Sequence, residues 1–144
     1  MDNEIKREII LEHFQNPINK ENVINNNYKK INTRNPNCID NLDIFVDIED
    51  NIIKDIKFTG EACAISTSST SIMIKNLIGK SISEANKYIN NFLAMCNEEE
   101  YDENLLNEGI AFDEIYKQNN RKNCVLLPYK GIINAINEYA KRDE

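Results

Sequence analysis

Leu42-Asp43-Ile44-Phe45-Val46-Asp47-Ile48, then Glu49-Asp50-Asn51, then Ile52-Ile53-Lys54-Asp55-Ile56-Lys57-Phe58-Thr59: this stretch decides the fold. In the first arm Leu42, Ile44, Val46 and Ile48 alternate with Asp43, Phe45 and Asp47, the two-residue period of a half-buried strand. In the second arm Ile52, Ile56 and Phe58 are expected on one face, with Ile53, Asp55 and Lys57 on the other. Strands over 41–48 and 52–59, joined by a short polar turn, make an antiparallel hairpin. A lone hairpin is marginal in water, so it needs another strand and helices on its apolar face. Residues 27–33 supply a weaker strand signal.

Helical spacing surrounds this hairpin. Ile5, Ile9, Ile10 and Phe14 predict a helix over 3–14, stopped by Asn16-Pro17, with His13 in its last turn as a partner for the helix dipole. Beyond Gly60 comes a run of hydroxyls, Ser66-Thr67-Ser68-Ser69-Thr70-Ser71, followed by Ile72, Met73, Leu77 and Ile78. Ser and Thr are good caps but poor helix interiors, so this helix is expected to run from about Ser66 to Gly79. Ser81, Ser83 and Glu84 open the next, whose apolar face is Tyr88, Ile89, Phe92 and Leu93. A short helical segment near 105–117 precedes a final helix over 123–141, where Pro128 marks either the start or a bend. The order helix, three strands, helices predicts an α+β fold: a small three-stranded antiparallel sheet with helices packed on one face, in a single domain over 1–144.

The 144 residues carry 17 basic and 24 acidic side chains, a net charge of −7, which excludes a cationic surface for nucleic acid or anionic lipid. No apolar run approaches the roughly 20 residues a bilayer requires. The start, Met1-Asp2-Asn3-Glu4-Ile5-Lys6, does not read as an export signal, so a cytoplasmic location is expected. The acidic stretch 97–104 reads as a solvated loop or helix start, with a patch for a basic partner as the alternative.

Four cysteines remain, and in a reducing compartment metal binding or catalysis is a better reading for them than disulfides. Cys96 ends an amphipathic helix behind Phe92, Leu93 and Met95 and reads as structural. Cys38, Cys63 and Cys124 fall at element boundaries, where loops can gather thiolates and helix starts lower their pKa. Asp40 lies two residues from Cys38, so in an extended loop both side chains face one point. Three thiolates and one carboxylate make a tetrahedral shell acceptable to Zn²⁺. Spacing alone leaves open that these cysteines are small buried hydrophobes.

The local words go further. Asn35-Pro36-x-Cys38-x-Asp40, then Cys63-Ala64-Ile65-Ser66 opening a Ser-rich helix, then Arg121-x-x-Cys124, resemble the U-type iron–sulfur assembly proteins, the IscU scaffolds and SufU sulfur-transfer proteins. The resemblance covers nearly the whole chain and implies a SufE/NifU-like sandwich, in agreement with the periodicity. IscU-type scaffolds usually carry His before the third cysteine, where this chain has Asn123. SufU-type proteins have an insertion before the third motif and an Arg at the Arg121 position, and both features are present. Two usual glycines are replaced, by Ile39 and Ala62; a positive φ at either would cost on the order of 1 kcal/mol. The usual Trp after the third motif is Tyr129.

The resemblance implies Zn²⁺ held by Cys38, Asp40, Cys63 and Cys124. It implies docking to a PLP-dependent, SufS-like cysteine desulfurase, one of whose His side chains takes a zinc position and releases Cys38. Cys38 then accepts the persulfide sulfur and passes it to a SUF scaffold complex. Arg121 would stabilise the freed thiolate or contact the partner, and the chain would be a monomer or weak dimer. The alternative is an IscU-like scaffold on which an Fe–S cluster is built on the same cysteines. A structural zinc protein without turnover is the third reading.

Overall fold

A computed structural model describes residues 1–142. Strand β1 (Lys29–Arg34), β2 (Asn41–Glu49) and β3 (Ile52–Glu61) form one antiparallel sheet in the order β1-β2-β3. Helices α1 (Asn3–Gln15), α2 (Ala64–Leu77), α3 (Ile82–Cys96) and α4 (Asn119–Arg142) complete the α+β fold. Three short 3-10 turns, Glu103–Leu105, Asn107–Phe112 and Ile115–Lys117, occupy the segment expected to be helical.

The hairpin turns on Asp50 and Asn51, both at positive φ (53° and 62°), the signature of a two-residue type I′ connection. Leu42, Ile44 and Val46 face the core as expected and are at most 1% exposed. The second arm departs from expectation at its start. Asp47 pairs with Asp55 and Ile48 with Ile53, so Lys54 is an extra residue in β3. That bulge reverses the alternation, and Ile53, not Ile52, joins Ile56 and Phe58 in the core. Each such side chain contributes about 1.5–3 kcal/mol by leaving water. The free edge of β3 is covered by the chain after α1: Phe58 donates its N–H to Asn19 and accepts one from Glu21.

Helix α4 crosses the sheet closely. A Cβ on Gly131 would lie 2.8 Å from Ile44 Cδ1, so glycine is what permits the approach. Behind it, Tyr129 is fully buried, stacked on Phe92 at 4.1 Å, with its hydroxyl 2.8 Å from that of Tyr88.

Three helical expectations need correction. In α1, Ile9 and Ile10 meet the core, but Ile5 and Phe14 are 45% and 43% exposed. The buried residue of α1 is His13, which does more than face a dipole: Nδ1 lies 2.7 Å from Ser71 Oγ and Nε2 3.2 Å from Glu108, pinning α1 to α2 and to the second 3-10 turn. Helix α2 starts at Ala64, so its hydroxyl run is helix interior and wholly inside the protein. Helix α4 starts at Asn119, so Pro128 sits within it rather than opening it. Helix α3 follows expectation, with a capping box between Ser81 and Glu84.

Candidate metal and thiol site

The sheet register builds the site. Arg34 pairs with Asn41, and Asn41 with Glu61, so one end of β1, β2 and β3 forms a single row. The chain leaving β1 carries Cys38 and Asp40 before it re-enters as β2. The chain leaving β3 carries Cys63. Both loops therefore emerge side by side despite their separation in sequence. Gly60 lets them converge: its φ is +120°, and a Cβ there would lie 2.2 Å from the Asn41 carbonyl oxygen.

Asn35 shapes the first loop. Its N–H donates to the Asp40 carbonyl, its own carbonyl accepts from Cys38 N–H, and its Oδ1 accepts from Asn37 N–H. Its side-chain amide points at Cys124 Sγ from 4.0 Å. Sequence reading quoted Asn35 without a role. The Asn-Pro-Asn word is the local signal for such an Asx-closed turn. Ile39 and Ala62 both have negative φ, so replacing the usual glycines brings no left-handed strain. Ile39 is 70% exposed.

Asp40 is fully buried, and its two oxygens are spoken for. Oδ1 accepts the Cys63 N–H at 2.6 Å, and Oδ2 accepts the Ser66 hydroxyl at 2.6 Å. Burial works to raise its pKa. The hydrogen bonds from Ser66, from the Cys63 backbone and from the Cys124 and Cys63 thiols outweigh it, holding the carboxyl below its usual range.

One donor atom each from Cys38, Asp40 and Cys124 lies within 4.8 Å of the others, a cluster that Cys63 does not join. The Cys63 sulfur lies 3.6 Å from Asp40 Oδ2 but serves as the N-cap of α2, accepting Ser66 N–H at 3.4 Å. Cys124, in the second turn of α4, has its thiol pushed up to about 12, chiefly by burial and then by hydrogen bonds and charge from Asp40 and Cys63. Burial and the neighbouring Asp40 carboxylate and Cys63 thus oppose ionisation of the Cys124 thiol. A divalent cation between the sulfur and the carboxylate offsets that penalty, and sulfur with one oxygen suits zinc. The donor set therefore fits the ion.

Cys38 is the exposed member of the set. Arg121, one turn before Cys124 on α4, is exposed, and its side chain makes no ion pair or hydrogen bond among the described residues. It lines a cleft with Lys6, Arg7 and Ile65, beside the start of α2. Cys96 lies apart, completely buried, its thiol pushed up to about 12 by burial.

Comparison with known proteins gives three concordant results. The family model described as NifU-like N terminal domain matches residues 5–144. The chain is 32% identical over 131 residues to the zinc-dependent sulfurtransferase SufU of Bacillus subtilis, covering 90% of this chain and 88% of that one. It is 29% identical over 108 residues to the iron–sulfur cluster assembly scaffold protein IscU of Thermotoga maritima, covering 75% and 76%. The crystal structure of a protein described as a putative iron–sulfur cluster assembly scaffold for the SUF system, from Fervidobacterium islandicum, superposes with a TM-score of 0.84 at 32% identity, covering 90% and 94%. No helix among the described residues is long and apolar enough to cross a membrane.

Proposed function

Because the chain belongs to the NifU-like N-terminal domain family, alongside SufU and IscU iron–sulfur assembly proteins, we propose that it is a zinc-dependent sulfurtransferase of the SufU kind. In this reading it works in the cytoplasm, where thiols stay reduced. It takes sulfur from a SufS-like cysteine desulfurase and hands it to a SUF scaffold complex. Cys38, Asp40, Cys63 and Cys124 would hold zinc, which keeps thiol sulfurs deprotonated at neutral pH.

The observation that carries this reading is the difference in burial within the set. Asp40 and Cys124 are inside the protein, Cys63 is half-buried at a helix cap, and Cys38 alone is open to a partner. A sulfur acceptor must be reachable by the donor's persulfide. The Cys38 thiolate attacks the terminal sulfur of that persulfide, forming a new S–S bond. The old S–S bond breaks, and the donor's cysteine leaves as a thiolate, so atoms and electrons balance without an oxidant. Arg121 offers an unpaired positive charge one turn from Cys124, placed to favour thiolate at the rim or to meet an acidic group of the partner.

The test is incubation with a cysteine desulfurase and cysteine, followed by peptide mass spectrometry. The extra sulfur is expected on the Cys38 peptide, and Cys38→Ser should fold normally yet fail to raise desulfurase turnover. Anaerobically purified protein should be colourless with one zinc. Brown protein carrying iron and sulfide, with sulfur on Cys124, would overturn the reading in favour of a cluster scaffold.

A further inference from the structure

Ser66 lies where all the buried parts of the site meet. It is itself 0% exposed. Its N–H points at the Cys63 sulfur from 3.4 Å, and its hydroxyl oxygen is 2.6 Å from Asp40 Oδ2 and 3.0 Å from the backbone carbonyl of Cys124. Three candidate ligands from three separate chain segments thus touch one small residue.

The Cys124 carbonyl is available for a reason written in the sequence. In an unbroken α-helix it would accept the N–H of residue 128, but residue 128 is proline and has none. Ser66 fills that gap. The neighbouring Val125 carbonyl is met in the same way by Ser69 Oγ at 2.6 Å. Ser66 and Ser69, one turn apart on α2, form a seam against the proline-opened stretch of α4. This explains two of the hydroxyls in the helix interior: Ser66 satisfies a carbonyl that proline would leave orphaned, and Ser69 ties the next one to α2, whereas Ser68 and Thr70 bond carbonyls of their own helix.

We propose that Ser66 is a positioning residue for the metal. Its hydroxyl ties the Asp40 carboxylate to the Cys124 backbone while its N–H holds Cys63, so three donors stay assembled as a seat when Cys38 swings away. A hydroxyl has one proton for two acceptors; the carboxylate at 2.6 Å is the shorter, charge-assisted one, and the carbonyl shares what remains. Without this tie, Asp40 and Cys124 approach the ion as independent groups on independent elements. This inference rests on the zinc reading above.

The experiment measures zinc affinity by competition with a chromogenic chelator, and the alkylation rate of Cys38 in the zinc-loaded protein, for the full chain and its variants. Ser66→Ala should bind zinc about 10–100-fold more weakly, as loss of a ligand's supporting partner does elsewhere, and Cys38 should alkylate faster. Ser66→Thr, which keeps the hydroxyl, should restore both; a packing role alone would give a lowered melting temperature with neither change. Pro128→Ala leaves Ser66 and every donor in place but gives the Cys124 carbonyl a helical N–H. It too should loosen zinc, by a smaller factor, which keeps the proposal testable if Ser66→Ala does not fold. Wild-type affinity and wild-type alkylation in either folded variant overturn the proposal while leaving the zinc reading intact. A wild-type chain that binds no zinc overturns both.

Discussion

The two halves of the site are built by opposite means. Cys38 and Ile39 stand in a loop closed by backbone hydrogen bonds to Asn35 and project into solvent. Cys63 and Cys124 stand on α2 and α4, joined to Asp40 through Ser66 and backed by a core in which Leu42, Ile44 and Phe58 are wholly inside. Displacing the first half disturbs few contacts; displacing the second breaks buried hydrogen bonds and helix caps. Exposure and rigidity are thus divided between neighbouring residues of a single candidate ligand set. Only two positions separate exposed Cys38 from fully buried Asp40.

The most severe way to break this contrast is Asp40→Ala. The Cys63 N–H loses its acceptor and the Ser66 hydroxyl keeps only the Cys124 carbonyl, a loss of about 1–3 kcal/mol, and the one candidate oxygen donor disappears. Urea denaturation should show the lower stability, and metal analysis should show reduced zinc with faster alkylation of Cys38. A smaller effect is expected from Cys96→Ala, which lies apart from the site, buried at the end of α3. It should lower stability by roughly 1–2 kcal/mol, as removal of a small buried group does, with zinc content unchanged. Zinc loss in folded Cys96→Ala would show that the four donors are wrongly chosen.

Ile39→Gly sharpens the contrast from the loop side. Ile39 is exposed and its backbone is unstrained, so stability in urea denaturation should fall only by about 0.5–1 kcal/mol of added loop entropy. Cys38 alkylation should nevertheless rise, because the loop that restrains it is looser. The smallest effect is expected far from the site, at Glu108. Burial works to raise its pKa, but hydrogen bonds from Lys75 and His13 prevail and hold it below the usual carboxylate value. A lowered folded pKa means stability that is present above the unfolded value near 4.5 and is lost as pH falls through the folded value. The side chain is partly solvated, so this is at most about 1 kcal/mol. Urea midpoints of the wild type and Glu108→Gln should differ at pH 7 and converge in acid.

Much of the fold was legible because its signals are local. Alternation in Leu42–Ile48 marks β2, the polar pair Asp50-Asn51 gives the turn, and Ser81 with Glu84 opens α3. Errors arose where one residue's effect depends on another element. Lys54 bulges because β2 and β3 set the register between them, and no periodicity in β3 alone announces that. The start of α2 is expected at about Ser66 because isolated hydroxyls disfavour a helix interior, but Ser66 and Ser69 find acceptors on α4, more than fifty positions away. His13 was read against its own helix, whereas its partners are Ser71 and Glu108.

The sequence by itself determined the elements, their order and the words that carry Cys38, Asp40, Cys63, Cys124 and Arg121, since backbone period, turn chemistry and motif are properties of adjacent residues. Only the tertiary structure decided that Cys38, Asp40 and Cys124 converge, that Cys63 is held back as a helix cap, and that Cys38 alone faces outward. The reason is physical. Convergence follows from the row Arg34–Asn41–Glu61 and from the depth at which Gly131 lets α4 settle on the sheet. Both are set by how surfaces pack, and no short stretch of chain contains both surfaces.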